Sequence, residues 1–395
     1  CAPLTAARDH YILCISDLCM ENAMNRPFIK GLRLSELLYE EAVKPILTTH
    51  FPGLPYSAAL LRYGSDVLGF DTPQSRDHDW GPRLMLFLTE GDYETYRDRM
   101  DQVLRQELPP EIHGYSTDFG HHEDGTALMV AADGGPGSRA SLPARTINHG
   151  VMFFTVRAFF KDVLRFDPDE ELRAIDWLTL PEQCLRSVTS GRVFHDGLGQ
   201  LEPIRARLRY YPQDVWLYLL AAQWRRISQE EPFMGRCGQV GDELGSRLVA
   251  ARLVRDLMKL CFLMERQYTP YIKWLGTAFK QLDCARRLTP ILMQVLDATS
   301  WQEREKPLVS AYELVAEMHN ELGITDPLPV KASRFHNRPF LVIHADNFAD
   351  AIRAAITSEE VRALPTHLGA IDQFVDSTDV LSNPEWFNRF KLLYQ

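Results

Sequence analysis

The chain contains 395 residues, which is enough for two domains or one large one, and its hydrophobic fraction of 45% is ordinary for a globular protein. A net charge of -10 argues against binding of bulk nucleic acid, which usually requires a basic balance or stripe. Seven scattered cysteines without a Cys-x-x-Cys pair indicate reduced thiols in a cytoplasm rather than a zinc site. We find no apolar run of membrane-spanning length and no signal-peptide pattern, so we expect a cytoplasmic protein with no membrane partner.

The first predicted elements alternate between helix and strand. Residues 31–49 carry apolar side chains at helical spacing, and residues 58–65 (AALLRYGS) predict a buried strand that ends in a glycine turn. Residues 77–89 (DHDWGPRLMLFLT) have strand character on each side of a Gly-Pro interruption, and residues 91–107 predict a surface helix.

The next segment, residues 109–150, is rich in Gly, Pro, His and Asp, and its role stays open. Its GGPGS cluster at 134–138 fits neither a P-loop nor a GxGxxG motif, so a flexible loop is favoured over a phosphate cradle. Residues 172–181 (LRAIDWLTLP) then predict a strand, and residues 182–191 predict a short helix that Gly191 stops.

Long amphipathic helices dominate after about residue 200, with Leu253, Leu257, Leu260 and Met264 as an example of the apolar stripe. The predicted helical stretches are 213–230, 240–267, 271–282, 289–298 and 308–322. We therefore predict an α+β protein, with a mixed-sheet domain over residues 1–200 and a helical, substrate-binding bundle over residues 201–395.

Two aspartates form a candidate metal site. Asp77 and Asp79 are two residues apart, so on a strand they point to the same face. Two carboxylates on one face repel each other unless a cation lies between them. Mg²⁺ is the natural ion, because it prefers oxygen ligands and substrate phosphates.

A nucleotide triphosphate also needs hydrogen-bond donors. Gly64 and Ser65 follow the predicted strand at 58–65 and supply backbone N–H groups and a hydroxyl. Each half of this arrangement is weak alone, since the aspartates could be solvated charges at a strand edge and Gly-Ser a plain turn.

Taken in order, these residues resemble the signature of the DNA polymerase beta-like nucleotidyltransferase superfamily. That signature has an apolar residue, then Gly and Gly or Ser, a spacer, and Asp-x-Asp or Asp-x-Glu, and Tyr63-Gly64-Ser65 and Asp77-His78-Asp79 match it. The preceding helix and strand are in the usual order. The resemblance implies a nucleotidyltransferase-fold domain with a mixed sheet, and the whole chain resembles an actinobacterial group of such proteins, which specifies no substrate.

The superfamily often uses a third carboxylate on a later strand, and Asp176 is the best match, with Asp196 as the runner-up or as a plain turn residue. Residues 187–197 resemble the corresponding segment of small-molecule nucleotidyltransferases of the aminoglycoside-modifying kind. The resemblance implies that Asp77, Asp79 and Asp176 hold Mg²⁺ and that Asp176 helps to activate an acceptor hydroxyl. A nucleoside monophosphate, AMP from ATP, would then pass to a small molecule and pyrophosphate would leave.

Other charged residues have two interpretations each. Arg83 and Lys273 either contact phosphate or are surface cations. Asp66 would lie near the phosphates unless its side chain faces away. Four acids either bind a cationic acceptor such as an amino sugar or act as helix caps and solvated charges, and they are Glu230, Glu231, Asp242 and Glu243.

Two further functions stay open. The same chemistry could act on a protein or an RNA end, although the acidic net charge disfavours RNA. A nucleotide-binding regulatory module without turnover is the other alternative.

Overall fold

The computed structural model describes residues 28–121, 127–129, 146–366 and 368–395. Over these residues a four-stranded sheet with flanking helices is followed by a region built almost entirely of helices. The predicted α+β class is therefore confirmed. None of the helices in those ranges combines the length and apolar character needed to cross a bilayer.

The sheet has the strand order β7-β2-β1-β8. Its members, and the short strands that lie between β2 and β7, are β1 (Ser57–Leu60), β2 (Leu84–Leu88), β3 (Glu111–Ile112), β4 (Tyr115–Ser116), β5 (Phe119–His121), β6 (Ala127–Met129), β7 (Val151–Thr155) and β8 (Arg192–Asp196). β1 runs antiparallel to both β2 and β8, whereas β2 runs parallel to β7. Parallel neighbours need a crossover, and helix Glu90–Glu107 lies in that connection. The predicted mixed sheet is confirmed.

The predicted helix at 31–49 is also confirmed. It consists of Gly31–Leu38, a π-helical turn Tyr39–Val43 and Lys44–His50. Its apolar side packs on one face of the sheet, where it meets alternate β2 residues such as Leu84 and Leu86. The intervening β2 residues face a second core on the other side, as the two-residue period of a strand requires.

The strands at the predicted aspartate motif are shorter than expected. β1 ends at Leu60, so Gly64 and Ser65 lie in the turn that follows it. β2 starts only at Leu84, and the prediction of a strand at Asp77 is wrong. Thr72 caps a 3-10 helix, Pro73–Asp77, that starts on proline and occupies this segment instead.

The prediction of a strand at residues 172–181 is wrong as well. This segment contains helix Ala174–Thr179, whose buried Ala174, Trp177 and Leu178 lie at helical spacing. The apolar residues around Asp176 therefore arise from a buried helix face. The next predicted helix is confirmed as Glu182–Thr189, and Gly191 follows it with a φ of +70°.

The five helical stretches predicted after residue 200 are all present. The helices of this region are Leu201–Arg207, Gln213–Glu230, Phe233–Gln239, Glu243–Met264, Ile272–Phe279, Ala285–Asp297, Trp301–Glu321, Ala345–Ala355, Glu359–Arg362, Ile371–Phe374, Thr378–Ser382 and Phe387–Phe390. Two 3-10 turns, Pro384–Trp386 and Lys391–Tyr394, and a two-stranded ribbon of β9 (Ser333–Arg334) and β10 (Leu341–Val342) complete it. The predicted stripe from Leu253 to Met264 is buried.

The largest apolar core extends across residue 200. Sheet residues Ala59, Met85 and Phe87 belong to the same buried cluster as Trp216 and Leu253 of the helical region. The sheet and the helices therefore share one core, and the division into domains at residue 200 stays a prediction.

Candidate functional site

One edge of the sheet collects the residues of the predicted motif. Since β1 and β2 are antiparallel, the end of β1 and the start of β2 lie at the same edge, with Ala59 opposite Met85. Gly64 and Ser65 follow β1, and Asp77 and Asp79 precede β2. The topology thus brings both halves of the motif to this edge, which we call the sheet edge.

The turn after β1 requires glycine at position 64. Gly64 has a φ of +121°, a conformation that other residues rarely adopt. A Cβ atom there would lie 2.1 Å from Asp66 Oδ1 and 2.7 Å from Arg83 Nη2. The N–H groups of Leu68 and Phe70 donate to the carbonyls of Gly64 and Ser65 at 3.3 and 2.8 Å, which closes the turn.

A buried ion pair supports this turn from the interior of the protein. Arg83 Nη2 donates to both carboxylate oxygens of Asp66 at 2.9 and 3.0 Å. Asp66 is 1% and Arg83 4% exposed, so the pair is removed from solvent. Burial raises the pKa of the Asp66 carboxyl, and the adjacent Arg83 guanidinium opposes that rise. Asp66 therefore faces inward. Arg83 supports the turn and is not the surface cation of one interpretation, and its role as a phosphate contact stays a prediction.

A second buried carboxylate anchors the segment that carries the aspartates. Asp71 Oδ2 accepts hydrogen bonds from the backbone N–H of Gly31 at 2.7 Å and from Trp80 Nε1 at 3.1 Å. Lys30 Nζ lies 3.2 Å from its other oxygen. Residues 72–79 are thus fixed at both ends, by Asp71 and by Trp80.

Asp77 and Asp79 lie on this anchored segment. The Asp77 side chain is 67% exposed, and its Oδ2 is 3.0 Å from Nδ1 of His78. Slight desolvation acts in the opposite direction, but hydrogen bonds from its own backbone and from His78 hold the pKa of the Asp77 carboxyl below its usual value. Asp79 is half-buried and has a φ of +46°, so a turn and not a strand presents the pair.

The predicted third carboxylate has a structural role. Asp176 lies in the first turn of helix Ala174–Thr179, where Oδ2 accepts the N–H of Arg173 at 2.8 Å. Its Oδ1 pairs with Lys391 Nζ at 2.6 Å. Nowhere in the described ranges do three His, Cys, Asp or Glu side chains form a group that could hold a metal ion. Asp77, Asp79 and Asp176 are therefore not brought together, because a helix N-terminus and a lysine engage Asp176.

The runner-up, Asp196, also caps a helix. It accepts hydrogen bonds from Ser57 Oγ at 2.7 Å and from the backbone N–H groups of Gln200, Leu201 and Glu202. These are the donors at the start of helix Leu201–Arg207, so Asp196 has a structural role, but as the last residue of β8 and not as a turn residue.

The four acids proposed for a cationic acceptor serve the fold as well. Glu230 pairs with Arg252, and Asp242 caps helix Glu243–Met264. Glu231 is buried and accepts two backbone N–H groups at the start of helix Ala345–Ala355. Glu243 pairs with Arg304 at 2.5 Å. The structure therefore favours the interpretation of these acids as caps and ion pairs.

Lys273 is exposed on helix Ile272–Phe279, with its Nζ 5.2 Å from the ring centre of Trp274. Trp274 in turn packs against Phe70 with ring centres 5.4 Å apart. Helix Ile272–Phe279 thus contacts the turn that follows Gly64, and the role of Lys273 as a phosphate contact stays a prediction.

A cavity of about 470 Å³ lies between the sheet edge and the helical region. Tyr63, which directly precedes Gly64, lines it, together with Arg255 and Lys259 of helix Glu243–Met264 and with Asp372. Asp372 Oδ2 accepts the backbone N–H of Glu182 at 3.1 Å. No motif in the sequence indicates this cavity, because its residues come from segments that are far apart in the chain.

This chain is similar to known proteins in one segment of its sequence and in its fold. Residues 177–275 match a family described as "Domain of unknown function (DUF4037)", which is less than half of the chain. No curated protein matches the sequence. Three solved chains match the fold.

Among the solved chains is a nucleotidyltransferase-like protein from Exiguobacterium sibiricum. It is 13% identical, with 72% of this chain and 77% of that chain covered and a TM-score of 0.29. With identity and TM-score this low, the similarity transfers no residue or activity to this protein.

Proposed function

We propose that this protein transfers a nucleoside monophosphate, AMP from ATP, to a hydroxyl of a small molecule and releases pyrophosphate. The observation that supports it most is the sheet edge, where a glycine turn braced by Asp66 and Arg83 adjoins an anchored turn that carries Asp77 and Asp79. Both buried acids of the segment, Asp66 and Asp71, hold these turns in place and so position Asp77 and Asp79 at this edge.

The turn offers donors for phosphate oxygens. Within the described residues, the backbone N–H groups of Ser65 and Asp66 and the Ser65 hydroxyl make no hydrogen bond, whereas the N–H groups of residues 67–70 are all used inside the turn. Ser65 is half-buried and thus accessible. Backbone N–H groups that a glycine turn leaves without an internal partner suit an anionic phosphate.

The pair Asp77 and Asp79 fits Mg²⁺. The lowered pKa of Asp77 keeps its carboxylate charged at neutral pH, and Mg²⁺ typically binds one or two carboxylates together with substrate phosphates and water. Bound there, Mg²⁺ would neutralise negative charge on the triphosphate. Asp176 has no part in this proposal, since Arg173 and Lys391 engage it.

Residues of this chain then position the triphosphate and the acceptor for the reaction. Ser65 and the turn hold the phosphates, and the acceptor oxygen forms a bond to the α-phosphorus. The bond from the α-phosphorus to the pyrophosphate oxygen breaks, and the hydroxyl proton passes to solvent. Catalysis of this kind depends mainly on positioning and on charge stabilisation.

The test is release of pyrophosphate from ATP with Mg²⁺ and a small-molecule fraction of a cell extract as the source of acceptor. We expect Asp77→Asn/Asp79→Asn to reduce the rate by about 100-fold or more. The control, Asp98→Asn/Asp326→Asn, removes two exposed carboxylates elsewhere and should leave the rate unchanged. Equal release by the wild type and the Asp77→Asn/Asp79→Asn variant would contradict the proposal.

One observation favours a second candidate function. The described residues contain no group of three metal-binding side chains, so a third carboxylate that could assist the acceptor is missing from this part of the chain. A nucleotide-binding regulatory module needs no such residue. It would bind ATP with Mg²⁺ through Asp77 and Asp79 but release no pyrophosphate with any acceptor.

A further inference from the structure

We propose that the cavity beside Tyr63 binds the acceptor, and that this acceptor is a hydroxylated, mainly apolar molecule with a negatively charged group rather than a cationic amino sugar. This inference rests on the proposed function, in which a hydroxyl receives the nucleoside monophosphate. It assigns a substrate class to the cavity, which the motif at the sheet edge does not specify.

The cavity is directly connected to the turn. Tyr63 lines it and is followed in sequence by Gly64 and Ser65. The Tyr63 ring centre lies 5.7 Å from the guanidinium carbon of Arg83, the residue that braces the turn. A molecule that contacts Tyr63 in the cavity is therefore near the phosphate donors of Ser65, because only Gly64 lies between these two residues in the chain.

The walls of the cavity are largely apolar. Val163, Leu275, Val375 and Leu381 contribute to them from four different elements. The volume of about 470 Å³ is within the range of about 300 to 1,000 Å³ that is common for small-molecule sites. An amino sugar, with polar groups on every side, would leave many of them unpaired against such walls.

Two cations lie on the same side of the cavity. Arg255 and Lys259 are four residues apart on helix Glu243–Met264, so they are neighbours on one face. Lys259 Nζ donates to the backbone carbonyl of Asp372 at 2.6 Å, and no carboxylate of the described residues is within ion-pair distance of it. Arg255 pairs at 3.3 Å with Asp376, whose side chain is 79% exposed, and its Nε is buried without a partner among these residues.

Two neighbouring acids, Glu182 and Asp372, are buried. Burial, followed by the neighbouring Asp372 carboxyl, raises the pKa of Glu182 to about 7, and burial raises the pKa of Asp372 to about 6. The Thr269 hydroxyl, which also borders the cavity, is buried and has no partner among the described residues. Lys259, which has no ion-pair partner among the described residues, and the unpartnered Arg255 Nε and Thr269 hydroxyl favour an anionic ligand that also accepts hydrogen bonds.

Three matched compounds test the charge preference. Hydroxynaphthoate, naphthol and aminomethylnaphthol share a naphthalene ring and a hydroxyl, and they are anionic, neutral and cationic. Their binding to the full chain is measured by calorimetry without nucleotide. We expect hydroxynaphthoate to bind about tenfold more tightly than naphthol and aminomethylnaphthol to bind most weakly.

Variants then assign the preference to the cavity. Lys259→Gln keeps a donor for the Asp372 carbonyl but removes the charge, and we expect it to abolish the preference for hydroxynaphthoate over naphthol. Lys259→Arg should retain the preference. Lys306→Gln, an exposed lysine on helix Trp301–Glu321, is the control and should change nothing. Thermal unfolding of each variant verifies that it is folded.

The outcomes separate this inference from the proposed function. Equal binding of the three compounds, tightest binding of aminomethylnaphthol, or an unchanged preference in Lys259→Gln would each overturn the inference. Binding of ATP with Mg²⁺ is measured on the same samples. Charge-selective binding in the cavity without any ATP binding would contradict the proposed function and leave the anion-binding cavity intact, whereas ATP binding without charge selectivity would do the reverse.

Discussion

The protein contains two pairs of carboxyl groups in opposite surroundings. Asp77 and Asp79 lie on a turn at the sheet edge, where Asp77 is mostly exposed and its pKa is lowered. Glu182 and Asp372 are buried beside the cavity, and their pKa values are raised. We propose that the first pair holds a cation, whereas the second pair retains protons to higher pH, so burial and not residue type decides how each pair titrates.

The difference between the two carboxyl pairs depends first on the buried Asp66–Arg83 ion pair, which supports the turn at the sheet edge. Asp66→Ala removes the partner of a buried arginine, and we expect it to lower the free energy of unfolding by about 3 to 5 kcal/mol. Chemical denaturation measures this loss. Asp162→Ala removes the partner of the partly exposed Arg62 and should cost roughly 1 kcal/mol or less. Comparable losses for the two variants would mean that the buried pair does not support the turn.

The glycine turn at Gly64 is the next feature that a substitution can test. Gly64→Ala combines a positive φ with a clash against Asp66 and Arg83, so we expect a loss of about 3 kcal/mol together with loss of ATP binding. Gly69 also has a positive φ, of +76°, but its Cβ position is open. Gly69→Ala should therefore cost only about 1 kcal/mol and keep ATP binding. Retained ATP binding in Gly64→Ala would separate the turn from the nucleotide site.

The buried pair predicts a pH dependence. A native pKa of about 7 for Glu182 means that the folded state retains a proton that the unfolded state releases, so stability should fall as the pH rises from about 4.5 to about 7. Glu182→Gln keeps an acceptor for the Thr269 N–H, and we expect it to reduce this fall by on the order of 1 to 2 kcal/mol. Urea denaturation across this pH range provides the measurement, and an unaltered slope in the variant would place the effect elsewhere.

The smallest effect is expected at Asp176. Because its carboxylate caps a helix and pairs with Lys391, Asp176→Asn should lower stability by about 1 kcal/mol and leave pyrophosphate release unchanged. Denaturation and the pyrophosphate assay decide between the two roles. A rate that falls as far as in Asp77→Asn/Asp79→Asn would restore Asp176 as a metal ligand.

The two pairs also differ in how far the sequence predicts them. Asp77 and Asp79 are neighbours in the chain, and the order of helix, β1, glycine turn and β2 follows from local patterns, so that part of the site was predicted. The strand that was predicted at Asp77 is wrong, because Thr72 and Pro73 start a 3-10 helix there. The error at Asp176 has the same origin, since an apolar run of this length fits a buried helix face as well as a strand.

The cavity pair had no local signal. Glu182 and Asp372 are 190 residues apart and meet only through packing of the C-terminal segment on helix Glu182–Thr189. In the same way, the side chains of Glu231 and Asp242 cap the N-termini of helices, and the positions of these N-termini depend on the tertiary fold. The motif could be predicted from the sequence, whereas the surroundings that fix the charge of each carboxyl group could not.

The most direct test of the central claim is calorimetric titration of ATP into the wild-type protein and into Asp77→Asn/Asp79→Asn, each with and without Mg²⁺. We predict that the wild type binds ATP about tenfold or more tightly with Mg²⁺ than without it, and that the variant shows no such gain. Wild-type and variant proteins that bind ATP equally in both conditions, or a wild type that binds no ATP, would contradict the claim that the sheet edge is a nucleotide site.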